Sequence, residues 1–351
     1  MKKVRKIASA ILIIATLLCA TLTSCKREPE KFSAHSFDYF DTVTTITGYE
    51  ESKEKFDEIS ADVMKMLEEY HRLYTIYYRY DGIENLCSLN HKTAEEKRSI
   101  TADSKIIDML SYSKDMYALT EGKVNIAMGS VLSIWHDYRE EGMNEPWNAS
   151  VPPTERLREA AEHTDIESLV IDSENHTVTL TDTLTRLDVG AIAKGYAVEM
   201  VAGELERRGI SGYVLNVGGN VRTIGTKPNG EGWTVGIEDP SSEEGGYLEY
   251  LTLSGQALVT SGSYQRFYTV GDINYHHIID PETLMPARGY TSVSIIAYSS
   301  ALADALSTAL FCMSFEEGLA LIERIENAEA AWLFENGDRK YSSGFEDYIK
   351  Q

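Results

Sequence analysis

Apolar residues along most of this chain follow either the spacing of a helix face or the alternation of a strand. Over residues 52–73, Phe56, Ile59, Val63 and Met66 recur at steps of three and four positions, which predicts a long amphipathic helix. Further helices are predicted at 103–119, where Asp103 is the cap, at 154–163, in a central run that ends at Arg208, at 300–313 and at 315–326.

Short runs rich in Val, Ile, Thr and aromatic residues predict the strands. They cover residues 42–49, 169–172, 177–181, 213–217, 233–238, 248–253, 267–270, 292–298 and 330–334. Strict alternation of strand and helix is absent, so we expect an α+β fold with mixed, largely antiparallel sheets and packed helices. No internal repeat and no shift in composition divides residues 37–351, which are expected to form one domain.

The N-terminal pattern is typical of a secretory signal peptide. Four positive charges in residues 1–6 precede an apolar run over 7–20 that is too short to span a bilayer comfortably. Leu22-Thr23-Ser24-Cys25 resembles the bacterial lipobox, in which the cysteine receives lipid and becomes the mature N-terminus. We therefore expect a signal peptide over 1–24, a linker over 25–36 from the lipidated Cys25, and an extracytoplasmic, membrane-anchored lipoprotein. The alternative is an ordinary signal peptide that contains a cysteine.

Charge and cysteine content narrow the range of partners and of stabilising bonds. The formal net charge is −22 at pH 7, whereas affinity for nucleic acid is built from lysine and arginine, so no nucleic-acid partner is expected. After signal removal and lipidation only Cys87 and Cys312 remain, which is too few for a disulfide framework. Both are expected to be core residues.

Asp304 and Thr308 lie four residues apart on the predicted helix over 300–313, so their oxygens share one face. A carboxylate and a hydroxyl placed in this way can bind one hard cation, which prefers oxygen ligands. The alternative is a polar stripe on an alanine-rich helix. However, Ala301 and Ala305 indicate that the helix is buried, and a buried Asp needs a partner. The spacing therefore favours a metal site.

Other polar residues stand beside glycine turns where a ligand can approach the backbone. Asp188 and Lys194 bracket one such turn, Gly218-Gly219 forms another, and His276-His277 precede Asp280. The alternatives are tight turns, a surface lysine and structural histidines. The chain has neither a nucleotide-binding loop signature nor a zinc signature. The residues alone thus indicate extracytoplasmic, metal-assisted phosphate chemistry.

Several segments, in this order along the chain, resemble the ApbE family of flavin transferases. Residues 187–197 are close to the family's L-D-L-G-A-I-A-K-G-Y-A, and residues 303–308 fit its A-D-A-L-x-T. The other matches are Phe40-Asp41-Thr42 with M-G-T, 120–135 with T-G-G-A-F-D-P…G…L…W, 216–225 with N-x-G-G-D/N…G, 260–264 with T-S-G-x-Y, and 277–281 with H-I-I-D-P. Together they extend over nearly the whole mature chain.

The resemblance implies an FAD:protein FMN transferase, with FAD as substrate and Mg²⁺ as cofactor, in a single ApbE-like domain whose FAD cleft lies between its layers. Such an enzyme releases AMP and leaves FMN on a Thr or Ser of an extracytoplasmic acceptor protein through a phosphoester bond. By position, the implied magnesium ligands are Asp304, Thr308 and the carbonyl of Ala191. The implied FAD contacts are Phe40, Lys123, Val124, Asn125, Asp188, Lys194, His277 and Ile278. The base for the acceptor hydroxyl is expected to be His277, with Asp280 as the alternative.

Two departures from the family pattern lie near the expected flavin. Lys123-Val124-Asn125 stands where the family has A-F-D, and Leu284 stands where it has glycine. No flavin-acceptor segment of the D-G-x-T/S-G-A-T kind is present, so the acceptor is expected to be another protein. Two alternative functions stay open: an FAD pyrophosphatase, with water as the acceptor, and a non-catalytic flavin-binding lipoprotein.

Overall fold

The computed structural model describes residues 28–242 and 245–350. The helices are α1 (Lys53–Tyr74), α2 (Leu86–Asn90), α3 (Ser104–Leu119), α4 (Gly129–Asn144), α5 (Thr154–Ala161), α6 (Ala193–Arg207), α7 (Ser300–Phe311) and α8 (Phe315–Ile322). The strands are β1 (Glu30–Tyr39), β2 (Thr42–Glu50), β3 (Ser99–Thr101), β4 (Leu169–Asp172), β5 (Thr177–Leu180), β6 (Tyr213–Val217), β7 (Asn220–Ile224), β8 (Trp233–Glu238), β9 (Tyr247–Leu253), β10 (Ala257–Gly262), β11 (Phe267–Val270), β12 (Ile273–His276), β13 (Tyr290–Ala297), β14 (Ala328–Phe334) and β15 (Arg339–Tyr341). Within these described ranges, no helix is both long and apolar enough to cross a membrane. The predicted signal peptide and Cys25 lie outside the described residues.

One antiparallel sheet of eight strands organises the molecule, in the order β1-β2-β6-β7-β10-β13-β14-β15. Its inner strands are covered on both faces, since every residue of β7 and all but one of β13 are buried. A three-stranded sheet, β3-β5-β4, and the hairpins β8-β9 and β11-β12 complete the described strands. The expected α+β fold with largely antiparallel sheets is confirmed.

Successive side chains of the large sheet reach two different cores because neighbouring residues of a strand point to opposite faces. Leu215 of β6 packs with Phe56 of α1 and Val201 of α6, between the sheet and the helices. Val214, next to it in β6, packs into the core that contains Leu251 of hairpin β8-β9. Helices α6 and α7 lie on the helical side, where α7 packs against β10 and β13.

The first strand corrects the predicted N-terminal organisation. The linker expected over 25–36 is wrong for residues 30–36, which belong to β1 and pair with β2. Phe32 and Ala34 pack against the core under α1, whereas the intervening residues are exposed. Because β1 is an edge strand with only one face covered, most of its residues are polar. This composition lacks the apolar run that would predict a strand from the sequence.

Candidate active site

A cavity of about 620 Å³ lies between α4, the N-terminus of α6, α7 and the ends of β2 and β10. This volume falls within the roughly 300–1,000 Å³ that is typical of small-molecule and cofactor sites. Of the residues predicted from the sequence, the cavity is lined by Lys123, Val124, Asn125, Asp188, Ala191, Lys194, His277, Ile278, Asp304 and Thr308. The fold thus brings Lys123 and Thr308, which lie 185 positions apart in the sequence, into the wall of one cavity.

Asp304 is held where α7 crosses the first turn of α6. Its carboxylate accepts a hydrogen bond from the Gly195 N–H at 2.7 Å, and Lys194 Nζ lies 3.1 Å from Asp304 Oδ1. The crossing needs glycine, because a Cβ on Gly195 would stand 2.4 Å from the Asp304 Cβ and 2.5 Å from the Ser300 carbonyl oxygen. The buried Asp304 therefore has the partners that its burial requires.

Hydroxyl groups surround the same end of the cavity. Ser261 Oγ lies 2.8 Å from Ser307 Oγ and 3.5 Å from Thr308 Oγ1, and Ala191 lines the cavity just before α6. Carboxylate, hydroxyl and carbonyl oxygens are the donors that a hard cation such as Mg²⁺ accepts. Since no group of three or more His, Cys, Asp or Glu side chains in the described part of the chain could hold a metal ion, a cation here would rely on this mixed oxygen set.

Asp188 also lines the cavity, near two basic side chains of α4. Its Oδ1 accepts the Gly190 N–H at 2.9 Å, and burial raises the pKa of its carboxyl group. Arg139 and His136 of α4 face it, with Arg139 Nη2 2.8 Å from His136 Nδ1. Burial also lowers the pKa of the Arg139 guanidinium.

The imidazole of His277 is kept neutral. Burial, followed by the positive charges of Arg266 and Arg139, lowers the pKa of His277 to about 3. Its Nδ1 is buried and has no hydrogen-bond partner, while part of the residue remains accessible to the cavity. A neutral imidazole can accept a proton, and a pKa this low makes His277 a weak base.

Asp280 and Phe40 do not line this cavity. Asp280 belongs to the wall of a neighbouring cavity of about 400 Å³, and its Oδ1 lies 3.3 Å from Lys123 Nζ. The same ammonium group lies 2.8 Å from Glu282 Oε1. Phe40 packs edge-on against His71, with ring centroids 5.5 Å apart, whereas its neighbours Asp41 and Thr42 do line the cavity.

The segment that departs from the family pattern has local structural roles. Val124 is buried, and its N–H donates to Thr120 Oγ1 at 3.1 Å. The Asn125 amide is used at both ends, because Nδ2 donates to the Thr164 carbonyl at 2.9 Å and Oδ1 accepts the Ala127 N–H at 2.9 Å. These bonds fix the cavity wall and leave Asn125 little capacity for a ligand.

Several lining residues were not predicted, including the two arginines and the aromatic side chains near α4. These are Tyr77, Trp135, His136, Arg139 and Arg266. Trp135 donates from Nε1 to the Leu284 carbonyl at 2.9 Å, and Tyr77 stands 5.5 Å from His136 between ring centroids. The tyrosine-dense loop over 74–80 was a visible signal, but it carried no spacing that specifies a ligand.

A model of the ApbE family matches residues 40–332. The chain belongs to the ApbE family. A protein of Klebsiella pneumoniae named FAD:protein FMN transferase is 27% identical over 286 residues, which are 81% of this chain and 85% of that protein. One of the same name from Treponema pallidum is 31% identical over 261 residues, which are 68% of this chain and 70% of the relative.

Solved structures agree with the membership in the ApbE family. The ApbE protein of Thermotoga maritima superposes with a TM-score of 0.79 and 26% identity, over 92% of this chain and 100% of that one. Flavin transferase ApbE from Vibrio cholerae shares the fold, with a TM-score of 0.74 over 91% of this chain and 99% of that one, at 24% identity. Since its relatives carry the name of a transferase, this ApbE-family chain is an enzyme of the transferase class.

Proposed function

We propose that this chain is a Mg²⁺-dependent FAD:protein FMN transferase with an extracytoplasmic acceptor protein. In the reaction, the hydroxyl oxygen of an acceptor Thr or Ser attacks the phosphorus on the FMN side of FAD. The bond to the AMP phosphate breaks, AMP leaves, and FMN stays on the acceptor through a phosphoester. The observation that carries the proposal is the cluster of Asp304, Lys194 and Thr308 at one end of a cavity that also contains the neutral His277.

Each cavity group then has a role in handling the pyrophosphate. Asp304, Thr308 and the Ala191 carbonyl would hold Mg²⁺, which when bound supplies positive charge against phosphate oxygens. Lys194, with Nζ 3.1 Å from Asp304, binds the pyrophosphate next to that position. His277, which lines the cavity as a neutral imidazole, accepts the proton of the acceptor hydroxyl.

A single experiment separates this function from the two alternatives. The mature protein is incubated with FAD, Mg²⁺ and an unmodified acceptor protein that contains the threonine to be flavinylated, and the masses of acceptor and nucleotide products are measured. A transferase adds FMN to the acceptor and releases AMP, a pyrophosphatase releases free FMN and AMP, and a binding protein leaves FAD intact.

The matched control for the metal is Asp304→Ala. Because α7 packs through its alanine and leucine residues, this variant is expected to keep its fold and to lose FAD cleavage. Wild-type cleavage by Asp304→Ala, or by the wild-type enzyme in excess chelator, would rule out the proposed metal site.

The proposal for localisation concerns Cys25, which lies outside the described residues. We propose that lipid on Cys25 anchors the protein to the extracytoplasmic side of the membrane, since Leu22 to Cys25 resembles a lipobox. Replacement of Cys25 by Ala should prevent attachment of lipid and so remove the protein from the membrane fraction. Labelling with a fatty acid and cell fractionation measure the two effects. Equal labelling of both forms would contradict the anchor.

A further inference from the structure

The turn between β1 and β2 has an unusual backbone for its residues. Phe40 and Asp41 both adopt positive φ, at 55° and 50°. Two-residue turns of this shape ordinarily contain Asn-Gly or similar pairs, because side chains larger than Asn or Asp crowd the left-handed region. A bulky aromatic residue in this conformation requires surrounding contacts that hold it.

His71, in the last turn of α1, supplies those contacts. The Phe40 N–H donates to His71 Nδ1 at 3.1 Å, and the two rings meet edge-on with centroids 5.5 Å apart. Because Nδ1 accepts this bond, the imidazole proton is on Nε2, where it faces the Tyr80 hydroxyl at 3.3 Å. The ring of His71 is therefore held from both nitrogens.

The held turn is also part of the cavity wall. Asp41, Thr42 and Val43 line the cavity beside Gly218. The Gly218 N–H donates to the Val43 carbonyl at 3.0 Å, and a Cβ on Gly218 would stand only 2.4 Å from Thr42 Oγ1. Any shift of the β1–β2 turn would thus move the glycine turn that closes the cavity on this side.

We propose that His71 is a positioning residue for the FAD site, although it does not itself line the cavity. Its Nδ1 holds the Phe40-Asp41 turn in the left-handed conformation, and the turn sets the position of Thr42 and Gly218. The inference rests on the proposed FAD transferase function. Loss of the acceptor at Nδ1 lets the turn relax and weakens the binding of FAD without removing any reacting group.

The test compares His71→Leu with His71→Asn. Leu keeps bulk but accepts no hydrogen bond, whereas the Asn side-chain oxygen reaches nearly the position of Nδ1. The dissociation constant of FAD is measured with Mg²⁺ by fluorescence titration, at a temperature where each variant is fully folded by circular dichroism. Amide deuterium exchange of the peptide over residues 38–44 reports the Phe40 hydrogen bond independently of FAD.

His71→Leu should bind FAD about five- to tenfold more weakly, with faster exchange in that peptide and little change in kcat at saturating FAD. His71→Asn should restore both values to within about twofold of the wild type. A folded His71→Leu protein with wild-type FAD affinity would overturn the inference. If His71→Leu does not fold, Tyr80→Phe decides, since it removes the oxygen that faces Nε2: an unchanged FAD affinity overturns the inference, and a loss of about two- to threefold supports it.

The same samples test the transferase function and the role of His71 separately. A wild-type protein that binds FAD but neither cleaves nor transfers it would contradict the transferase function and still allow the affinity comparison. A wild-type protein that transfers FMN while His71→Leu binds FAD normally would contradict only the role of His71.

Discussion

Lys194 and Asp304 are coupled at the level of single residues. From the sequence they were expected to have separate tasks, with Lys194 on FAD and Asp304 on the metal. In the folded chain Lys194 Nζ lies 3.1 Å from Asp304 Oδ1, and the carboxylate also accepts the Gly195 N–H. An ammonium group at that distance repels a cation that approaches the same carboxylate. The contact of Lys194 with Asp304 and the binding of Mg²⁺ to Asp304 therefore oppose each other.

Replacing Lys194 with Ala is therefore expected to change two constants in opposite directions. The KM for FAD should rise about ten- to a hundredfold, because a charge-assisted contact with the pyrophosphate is lost. The Mg²⁺ concentration for half-maximal activity should fall, because a competing positive charge has left Asp304. Steady-state kinetics over a Mg²⁺ titration measures both, with Lys194→Arg as the control that keeps the charge. Unchanged values of both constants would mean that Lys194 does not face the substrate.

His277 and Asp280 are the two candidates for the base that accepts the proton of the acceptor hydroxyl. His277 lines the cavity as a neutral imidazole, whereas Asp280 is paired with Lys123 and lies in the wall of the neighbouring cavity. His277→Asn should therefore lower kcat for transfer by roughly 10²–10⁴-fold, the usual range for general base catalysis. Asp280→Asn should cost much less, and rapid-quench kinetics of both variants measures the difference. The reverse order would assign the base to Asp280.

The sequence could identify these residues only where a motif contained them. Asp304, Thr308 and Lys194 came from spacing and family resemblance and do line one cavity. Arg139 was not identified from the sequence, because a single arginine on a charged helix face has no spacing that distinguishes a cavity-lining side chain from a solvent-exposed one. Its position beside Asp188 arises from the packing of α4, which local sequence does not specify.

At the scale of elements, the crossing of α6 and α7 builds the site. From the sequence, the glycines near Lys194 indicated only a turn that opens the backbone to a ligand. Gly195 is instead in the first turn of α6, where its missing side chain lets Asp304 approach the helix. The two helices then present Lys194 and Asp304 to each other and to the cavity.

This role of Gly195 is tested against Gly203 of the same helix. Gly195→Ala places a methyl group 2.4 Å from the Asp304 Cβ, so unfolding free energy should fall by about 1–3 kcal/mol or more, and FAD cleavage should fall with it. A Cβ on Gly203 meets nothing within 4 Å, and Gly203→Ala should stabilise the protein by roughly 0.5–1 kcal/mol. Urea unfolding of both variants gives the values. Equal stabilisation by the two substitutions would show that α6 and α7 are not closely packed at Gly195.

Elements with clear local signals could be predicted, and those defined by tertiary pairing could not. Helix α1 begins after Ser52, whose side chain accepts the Lys55 N–H, as the amphipathic pattern indicates. Helix α4 lacks a side-chain cap at Met128, so its buried face was missed although its apolar spacing was present. Strands β7 and β10 are short and lie between glycine turns that resembled ligand loops, and only their neighbours in the sheet define them.

At the scale of the whole molecule, histidines buried in their neutral form link the fold to pH. His276 uses both ring nitrogens, with Nε2 donating to the Ala287 carbonyl at 2.8 Å and Nδ1 accepting the Ile278 N–H at 3.2 Å. Burial lowers its pKa, the nearby Arg288 acts in the same sense, and Glu335 opposes it. Burial also lowers the pKa of His71 and of His277. The folded chain therefore favours the neutral form of all three histidines.

Stability should therefore fall as the medium becomes acidic. Below the unfolded-state pKa of about 6.5, the unfolded chain binds protons that the folded histidines exclude, so the free energy of unfolding decreases towards the lowered folded-state pKa. The slope is at most about 1.4 kcal/mol per pH unit for each histidine. Asp188 acts in the opposite sense, because burial raises its pKa, so the absolute profile mixes several groups.

A difference between two proteins isolates one histidine. His276→Gln keeps a donor for the Ala287 carbonyl but cannot titrate, and it should be less stable than the wild type at pH 7.5 because the Ile278 N–H loses its acceptor. Between pH 6.5 and 5.5 its free energy of unfolding should fall less than that of the wild type, by up to about 1 kcal/mol. Urea unfolding at the three pH values measures both curves, and carboxylates such as Asp188 cancel in the difference. Parallel curves would mean that His276 takes up its proton in the folded protein as readily as in the unfolded chain, which would contradict its burial in the neutral form.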